Sequence, residues 1–206
     1  MVFESAFCID ASSIKYGPGV TREVGFEMRA FGARRVMVVT DPQLASSESV
    51  LVTMKSLRAE AIDAVLFDGV SIEPTDLSFK EAIRVAIDGD FDGYVAVGGG
   101  SSMDTAKAAD LYATYPADFL AYVNAPIGKG CPVPGVLKPL IAIPTTSGTG
   151  SETTGVAIFD LLEMKTKTGI AHRALRPVMG LVDPNNTSTL PEMVAACRPV
   201  CPTRKS

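Results

Sequence analysis

The sequence has no tryptophan, one histidine (His172) and four cysteines (Cys8, Cys131, Cys197, Cys201), none of them in a Cys-x-x-Cys pair. A single histidine excludes a histidine-rich metal site within these residues. Any Ser-His-Asp arrangement would have to use His172, and no Gly-x-Ser-x-Gly elbow is present to serve it. In Gly169-Ile170-Ala171-His172-Arg173 that histidine reads as a surface or loop-packing residue. Scattered cysteines do not form a disulfide frame, which points to a reducing compartment. No apolar run approaches the roughly 18 residues of a membrane span. Net charge is −4 with no basic block, so neither nucleic acid nor an anionic membrane surface is an expected partner. The opening Met1-Val2-Phe3-Glu4-Ser5 has neither the basic nor the apolar region of a signal peptide and carries too much acid for a transit peptide, so a soluble chain is expected. No P-loop Gly-Lys-Ser/Thr occurs, and the dinucleotide motif Gly-x-Gly-x-x-Gly would need glycine where Met103 stands.

What is present is an ordinary globular composition, with 206 residues, 47% hydrophobic and 20% charged. The chain is organised around residues 94–107. Tyr94-Val95-Ala96-Val97 is a short apolar run of the kind a parallel sheet buries on both faces. Gly98-Gly99-Gly100-Ser101 then lets the backbone approach a ligand, with a helix from Ser102 to about Tyr115 whose first turn carries Ser and Asp104. The N–H groups of such a helix start suit a phosphate, while the plainer reading is a tight strand-to-helix turn.

The rest alternates strand and helix. Residues 7–10 and 14–16 read as an N-terminal hairpin, and residues 21–31 as a helix closed by Gly32. Residues 36–39 read as a buried strand stopped by Thr40-Asp41-Pro42, residues 50–59 as a helix and 64–67 as a strand. The next helix is capped by Thr75 or Asp76 and carries Phe79, Ile83 and Ile87 on one face. Short βαβα connections predict a parallel, doubly wound α/β sheet. Asp41 then lies at the carboxyl end of a strand, where such sheets bind ligands, or else serves its own turn before proline. After a proline-rich loop at 126–135, Leu140-Ile141-Ala142-Ile143 leads into a second glycine-rich turn, Pro144-Thr145-Thr146-Ser147-Gly148-Thr149-Gly150-Ser151-Glu152. Its five hydroxyls suit ribose and phosphate oxygens, the alternative being a flexible linker with local Ser/Thr turns. Residues 156–159 and 166–170 read as a hairpin in which Lys165 and Lys167 are solvated or one of them turns toward a cofactor, and residues 180–182 as a last strand.

The combination Gly98-Gly99-Gly100-Ser101-x-x-Asp104-x-x-Lys107, then residues 144–152, then Asp183-Pro184 and Leu190-Pro191 resembles the iron-containing (group III) alcohol dehydrogenase family. Within it, Glu73-Pro74-Thr75-Asp76, Ala125-Pro126-Ile127-Gly128-Lys129-Gly130 and residues 152–160 are similar to the hydroxyacid-oxoacid transhydrogenase branch. The resemblance runs from about residue 7 to 196. It implies a Rossmann-like N-terminal domain of the dehydroquinate synthase type over residues 1–190, binding NAD. Asp41 would lie near the adenosine ribose, Gly98, Gly99, Gly100 and Ser101 on the pyrophosphate, and Asp104, Thr145, Thr146, Thr149 and Lys167 near the nicotinamide half. It also implies small hydroxy acid and oxo acid substrates, a divalent metal (iron or zinc) that polarises the substrate oxygen, and a homo-oligomer or association with full-length subunits. The compartment it implies is the mitochondrial matrix for a eukaryotic source and the cytoplasm for a bacterial one.

The family's metal ligands follow the helix that starts near Leu190, with more histidines in a helical C-terminal domain. Here Arg198-Pro199-Val200-Cys201-Pro202 replaces that continuation, and two prolines so close cannot extend a helix. The expectation is a chain whose residues 191–206 begin that helix and end in a non-family tail, with the C-terminal domain and metal ligands missing and the chain inactive alone.

Overall fold

The computed structural model describes residues 12–187. Within them lie strands β1 (Ser13–Tyr16), β2 (Arg35–Val39), β3 (Asp63–Phe67), β4 (Gly93–Gly98), β5 (Leu140–Pro144), β6 (Val156–Leu161), β7 (Thr166–Ala171) and β8 (Met179–Val182). The α-helices are α1 (Val24–Ala30), α2 (Glu48–Ala59), α3 (Asp76–Gly89) and α4 (Gly100–Thr114). Six strands form one sheet in the order β1-β8-β5-β4-β2-β3, every neighbouring pair parallel. The predicted parallel α/β sheet is therefore the observed one.

Alternation along the strands sends side chains to two separate cores. Val36, Val38, Val95, Val97, Ile141 and Ile143 meet α1 and α2 on one face, through Met28 and Leu57. Met37, Val39, Tyr94, Ala96 and Ala142 meet α3 and α4 on the other, through Ala82, Met103 and Ala106. Both faces are covered, which is why these strands read as unbroken apolar runs. A third core lies beyond α3 and α4, where the antiparallel β6–β7 hairpin packs Phe159 and Ile170 against Phe79, Ala108 and Leu111. Helix α4 is thus enclosed from two sides, with Ala106, Ala108 and Ala109 giving close approach.

Helix starts follow local chemistry. Thr75 and Ser78 exchange side-chain-to-backbone bonds at the head of α3, the Thr75 hydroxyl accepting from the Ser78 N–H at 3.2 Å and the Ser78 hydroxyl from the Thr75 N–H at 2.9 Å. Thr75, not Asp76, is therefore the cap. The Ser47 hydroxyl caps α2 by accepting from the Val50 N–H.

Four expectations are corrected or fall outside the description. Residues 14–16 pair with β8 in parallel rather than closing a hairpin, because an apolar run names a strand and not its partner; residues 7–10 lie outside the described residues. The helix expected over 21–31 opens as a 3-10 turn, Val20–Glu23, before α1. Helix α4 starts at Gly100, two residues early, with Gly99 as its cap. The helix expected from Leu190 and the boundary near 190 lie outside the described residues.

Candidate cofactor site

Strand β4 ends at Gly98 with φ +153°, a conformation open to glycine, and a Cβ there would stand 2.3 Å from the Ser102 hydroxyl oxygen. The chain enters α4 at once, so the first helical N–H groups, at Gly100 and Ser101, have no acceptor within the helix. Next door, β5 delivers the hydroxyl-rich turn against this start. The Thr145 N–H donates to the Gly98 carbonyl at 3.0 Å. A Cβ on Gly99 would lie 3.1 Å from Thr146 Oγ1, and one on Gly100 would lie 3.2 Å from Thr149 Cγ2. The two glycine-rich turns therefore touch.

Where they touch, Ser102 Oγ, Thr145 Oγ1 and Thr146 Oγ1 are buried with no hydrogen-bond partner among the described residues. An unpaired buried hydroxyl costs about 1–3 kcal/mol, so three around one glycine turn mark a place built for a ligand's oxygens. The orphaned hydroxyls and the Cβ-free cradle fit a dinucleotide.

Two clefts of about 470 Å³ each open beside this point. One is walled by Gly100, Ser101, Asp104, Thr149, Ser151 and Lys167. The other includes Thr145, Thr21, Leu44, Ser47 and Asp183. Lys167 is 63% exposed, with its ammonium 3.7 Å from Asp160, so it borders the first cleft from the solvent side. The Ser101 hydroxyl donates to the Ile72 carbonyl at 2.5 Å, tying the loop before α3 to α4. Asp104 sits beyond the first turn of α4, which carries no acid. The Asp41 carboxylate accepts from the N–H groups of Gln43 at 2.9 Å and Leu44 at 3.1 Å, so it organises its own turn while standing at the end of β2, beside β4. It lines neither cleft.

Sequence reasoning assigned no role to Lys107 or the carboxylate of Asp183, and offered the Ser151 hydroxyl only to a ligand's oxygens. Lys107 is fully buried, and its ammonium donates to Ser151 Oγ at 2.6 Å, to the Val156 carbonyl at 2.9 Å and toward Asp104 Oδ1 at 3.4 Å. The Ser151 hydroxyl donates to Asp104 Oδ1 at 2.6 Å, and Asp104 Oδ2 accepts from the Ile158 N–H at 3.0 Å. Burial pulls the proton affinity of Lys107 below the usual lysine range, opposed by the Asp104 charge. A lysine set among alanines, three residues after an aspartate, was the available signal. Asp183, at the end of β8, accepts from the N–H groups of Gly19, Thr21 and Asn185 and from the Thr21 hydroxyl. Burial alone would raise its carboxyl, but those donors hold it below the usual carboxylate range.

Among the described residues no group of three or more His, Cys, Asp or Glu side chains could hold a metal ion. His172 caps a short turn, Nδ1 accepting from the Ala174 N–H at 3.1 Å. No helix among the described residues is long and apolar enough to cross a membrane.

Residues 11–184 match the model of a family described as iron-containing alcohol dehydrogenase. Proteins called hydroxyacid-oxoacid transhydrogenase, mitochondrial, from Bos taurus and Mus musculus are 56% and 57% identical over 192 residues, 93% of this chain. The chain spans 41% of the length of each. Among solved structures, 1,3-propanediol oxidoreductase superposes with a TM-score of 0.86 at 28% identity, covering 94% of this chain and 50% of that one. Sulfoacetaldehyde reductase from Bifidobacterium kashiwanohense, solved in complex with NAD+, gives 0.81 at 26% identity, covering 94% and 49%.

Proposed function

The chain belongs to the iron-containing alcohol dehydrogenase family, and from that premise we propose that residues 12–187 form the NAD-binding half of a mitochondrial hydroxyacid-oxoacid transhydrogenase. The observation that carries the reading is the meeting of two strand-end turns around three unpaired buried hydroxyls. The N–H groups at the head of α4, from Gly99 to Ser101, take the pyrophosphate, and the Cβ-free surface of Gly98, Gly99 and Gly100 allows its close approach. Thr145, Thr146 and Thr149 supply hydroxyls to the nicotinamide half, with Asp104 and Lys167 lining the same cleft as Thr149. Asp41, just past the end of β2, takes the adenosine ribose on this reading.

When bound, NAD would supply the hydride acceptor and then the donor, so that 4-hydroxybutyrate loses a hydride and its hydroxyl proton to become succinic semialdehyde, and 2-oxoglutarate gains a hydride and a proton to become 2-hydroxyglutarate. The protein's own part here is to bind and orient. The buried turn-to-turn contact keeps water from the dinucleotide's inner edge, and Lys167 supplies a cation at its outer edge. The described residues offer no ligand set for the iron or zinc of the family. On this reading the 206-residue chain alone binds nucleotide and oxidises no alcohol. That same observation favours a second reading, a non-catalytic nucleotide module that works by associating with full-length subunits.

Calorimetric titration of the 206-residue chain with NAD tests the first reading, since the absence of tryptophan weakens fluorescence detection. Binding near one equivalent is expected, lost in Gly99→Val, whose side chain would enter the space beside Thr146 Oγ1. A folded chain that binds no NAD overturns the reading. Alcohol oxidation by the isolated chain overturns the claim that it is inactive alone.

A further inference from the structure

Lys107 does not line the cleft that holds Asp104, Thr149 and Ser151. It lies behind it. Its ammonium has three protons, and three acceptors surround it from three different segments: Asp104 on α4, Ser151 in the turn and the Val156 carbonyl at the start of β6. The single proton of the Ser151 hydroxyl goes to Asp104, which leaves its lone pairs for Lys107. Asp104 completes the set by accepting from the Ile158 N–H. A fully buried cation persists only with such a complete set of acceptors, and removing it takes the counter-charge from Asp104 and a donor from the Val156 carbonyl and the Ser151 hydroxyl at the same time. The turn that gains from this carries the threonines facing the glycine cradle, and Thr149 is two residues from Ser151.

We propose that Lys107 is a positioning residue: through Ser151 and Asp104 it locks the hydroxyl-rich turn onto α4 and so sets where Thr145, Thr146 and Thr149 meet the nicotinamide half of the dinucleotide. The inference rests on the cofactor reading above. It differs from a general packing role in one consequence. Losing the lock disturbs the nicotinamide end and spares the adenosine and diphosphate, which contact the backbone of the first turn and the end of β2.

The test compares the 206-residue chain with Lys107→Met and Ser151→Ala by two measurements. Amide hydrogen exchange without ligand reads the turn directly. In Lys107→Met it should quicken about tenfold or more over residues 146–153 while β2 and β4 stay protected. Calorimetry with NAD and with ADP, which ends at the diphosphate, reads the consequence. NAD binding should weaken roughly tenfold and ADP binding by less than about twofold, with Ser151→Ala following the same pattern at roughly threefold for NAD. Unchanged exchange in the turn, or equal losses for NAD and ADP, overturns the proposal. If Lys107→Met fails to fold, Ser151→Ala decides by the same criteria. A parent chain that binds neither nucleotide overturns the cofactor reading, and exchange alone then decides whether Lys107 anchors the turn. A parent that binds both, with both variants unaltered, overturns only the role of Lys107.

Discussion

The turns after β4 and β5 occupy neighbouring strand ends, are both rich in glycine, and are held in opposite ways. The first is a single residue, Gly99, between β4 and the head of α4, and the sheet on one side and the helix on the other leave it nowhere to go. The second runs from residue 145 to 155 before β6 begins, with backbone bonds to the Gly98 carbonyl at one end and from Thr153 to Gly150 near the other. Its middle is held by side chains reaching out of α4. A short turn is rigid because its flanking elements are. A long one is ordered by tertiary contacts, each of which must offset about 1–2 kcal/mol of backbone entropy per fixed residue.

Breaking the first turn should therefore be the more costly change. Gly98→Val puts a branched side chain at φ +153° with its Cβ 2.3 Å from Ser102 Oγ. Strain and overpacking together should cost roughly 3–5 kcal/mol of stability, read by urea unfolding, and NAD binding should be lost with it. A variant as stable as the parent would remove the claim that the first turn is fixed by its backbone.

The second expected effect lies at the far end of the same helix. Burial raises the Asp110 carboxyl to about 7, against the Thr114 hydroxyl, the Lys138 N–H and the Lys138 charge, which all favour its ionised form. The folded state then holds a proton that the unfolded chain releases near pH 4. Stability should fall as pH rises from about 4 to 7, with a slope approaching 1.4 kcal/mol per unit, and level off above that. Asp183 and Asp76, whose carboxyls are lowered, contribute stability that is lost only as pH falls below about 4, outside this window. Asp110→Asn should abolish the slope, measured by urea unfolding at pH 5 and 7.5. NAD affinity should not change with it, because Asp110 touches neither turn. A slope that persists in the variant assigns it to another group.

The smallest effect sharpens the comparison most. Thr145→Val replaces an orphaned buried hydroxyl by a methyl group, so the unfolding free energy should stay within about 0.5 kcal/mol of the parent or rise. NAD affinity should nevertheless fall about three- to tenfold. A marked loss of stability would mean that the hydroxyl has a partner within the fold and is not waiting for a ligand.

Much of this was legible in the residues. The apolar runs at 36–39, 94–97 and 140–143 named the central strands because burial on both faces leaves no polar alternation to confuse them. The β6–β7 hairpin was legible from the short connection, residues 162–165, between two strands. The partner of β1 was not, since pairing between residues 166 positions apart leaves no local trace. Within the site, Gly98, Gly99, Gly100 and the threonines could be named from their turns. Lys107 could not be given a role, because its acceptors lie up to 49 positions from it along the chain. The tie from the Ser101 hydroxyl to the Ile72 carbonyl, 29 positions away, could not be read either.

By itself the sequence determined the strands, the helices, the two glycine-rich turns and the family, because each rests on local propensity, periodicity or a contiguous motif. Only the tertiary structure decided that the two turns meet, that three hydroxyls there are left without partners, and that a lysine buried behind them holds the longer turn in place. Those are relations between segments distant along the chain, and they come into being when β4 and β5 pair and the hairpin closes over α4.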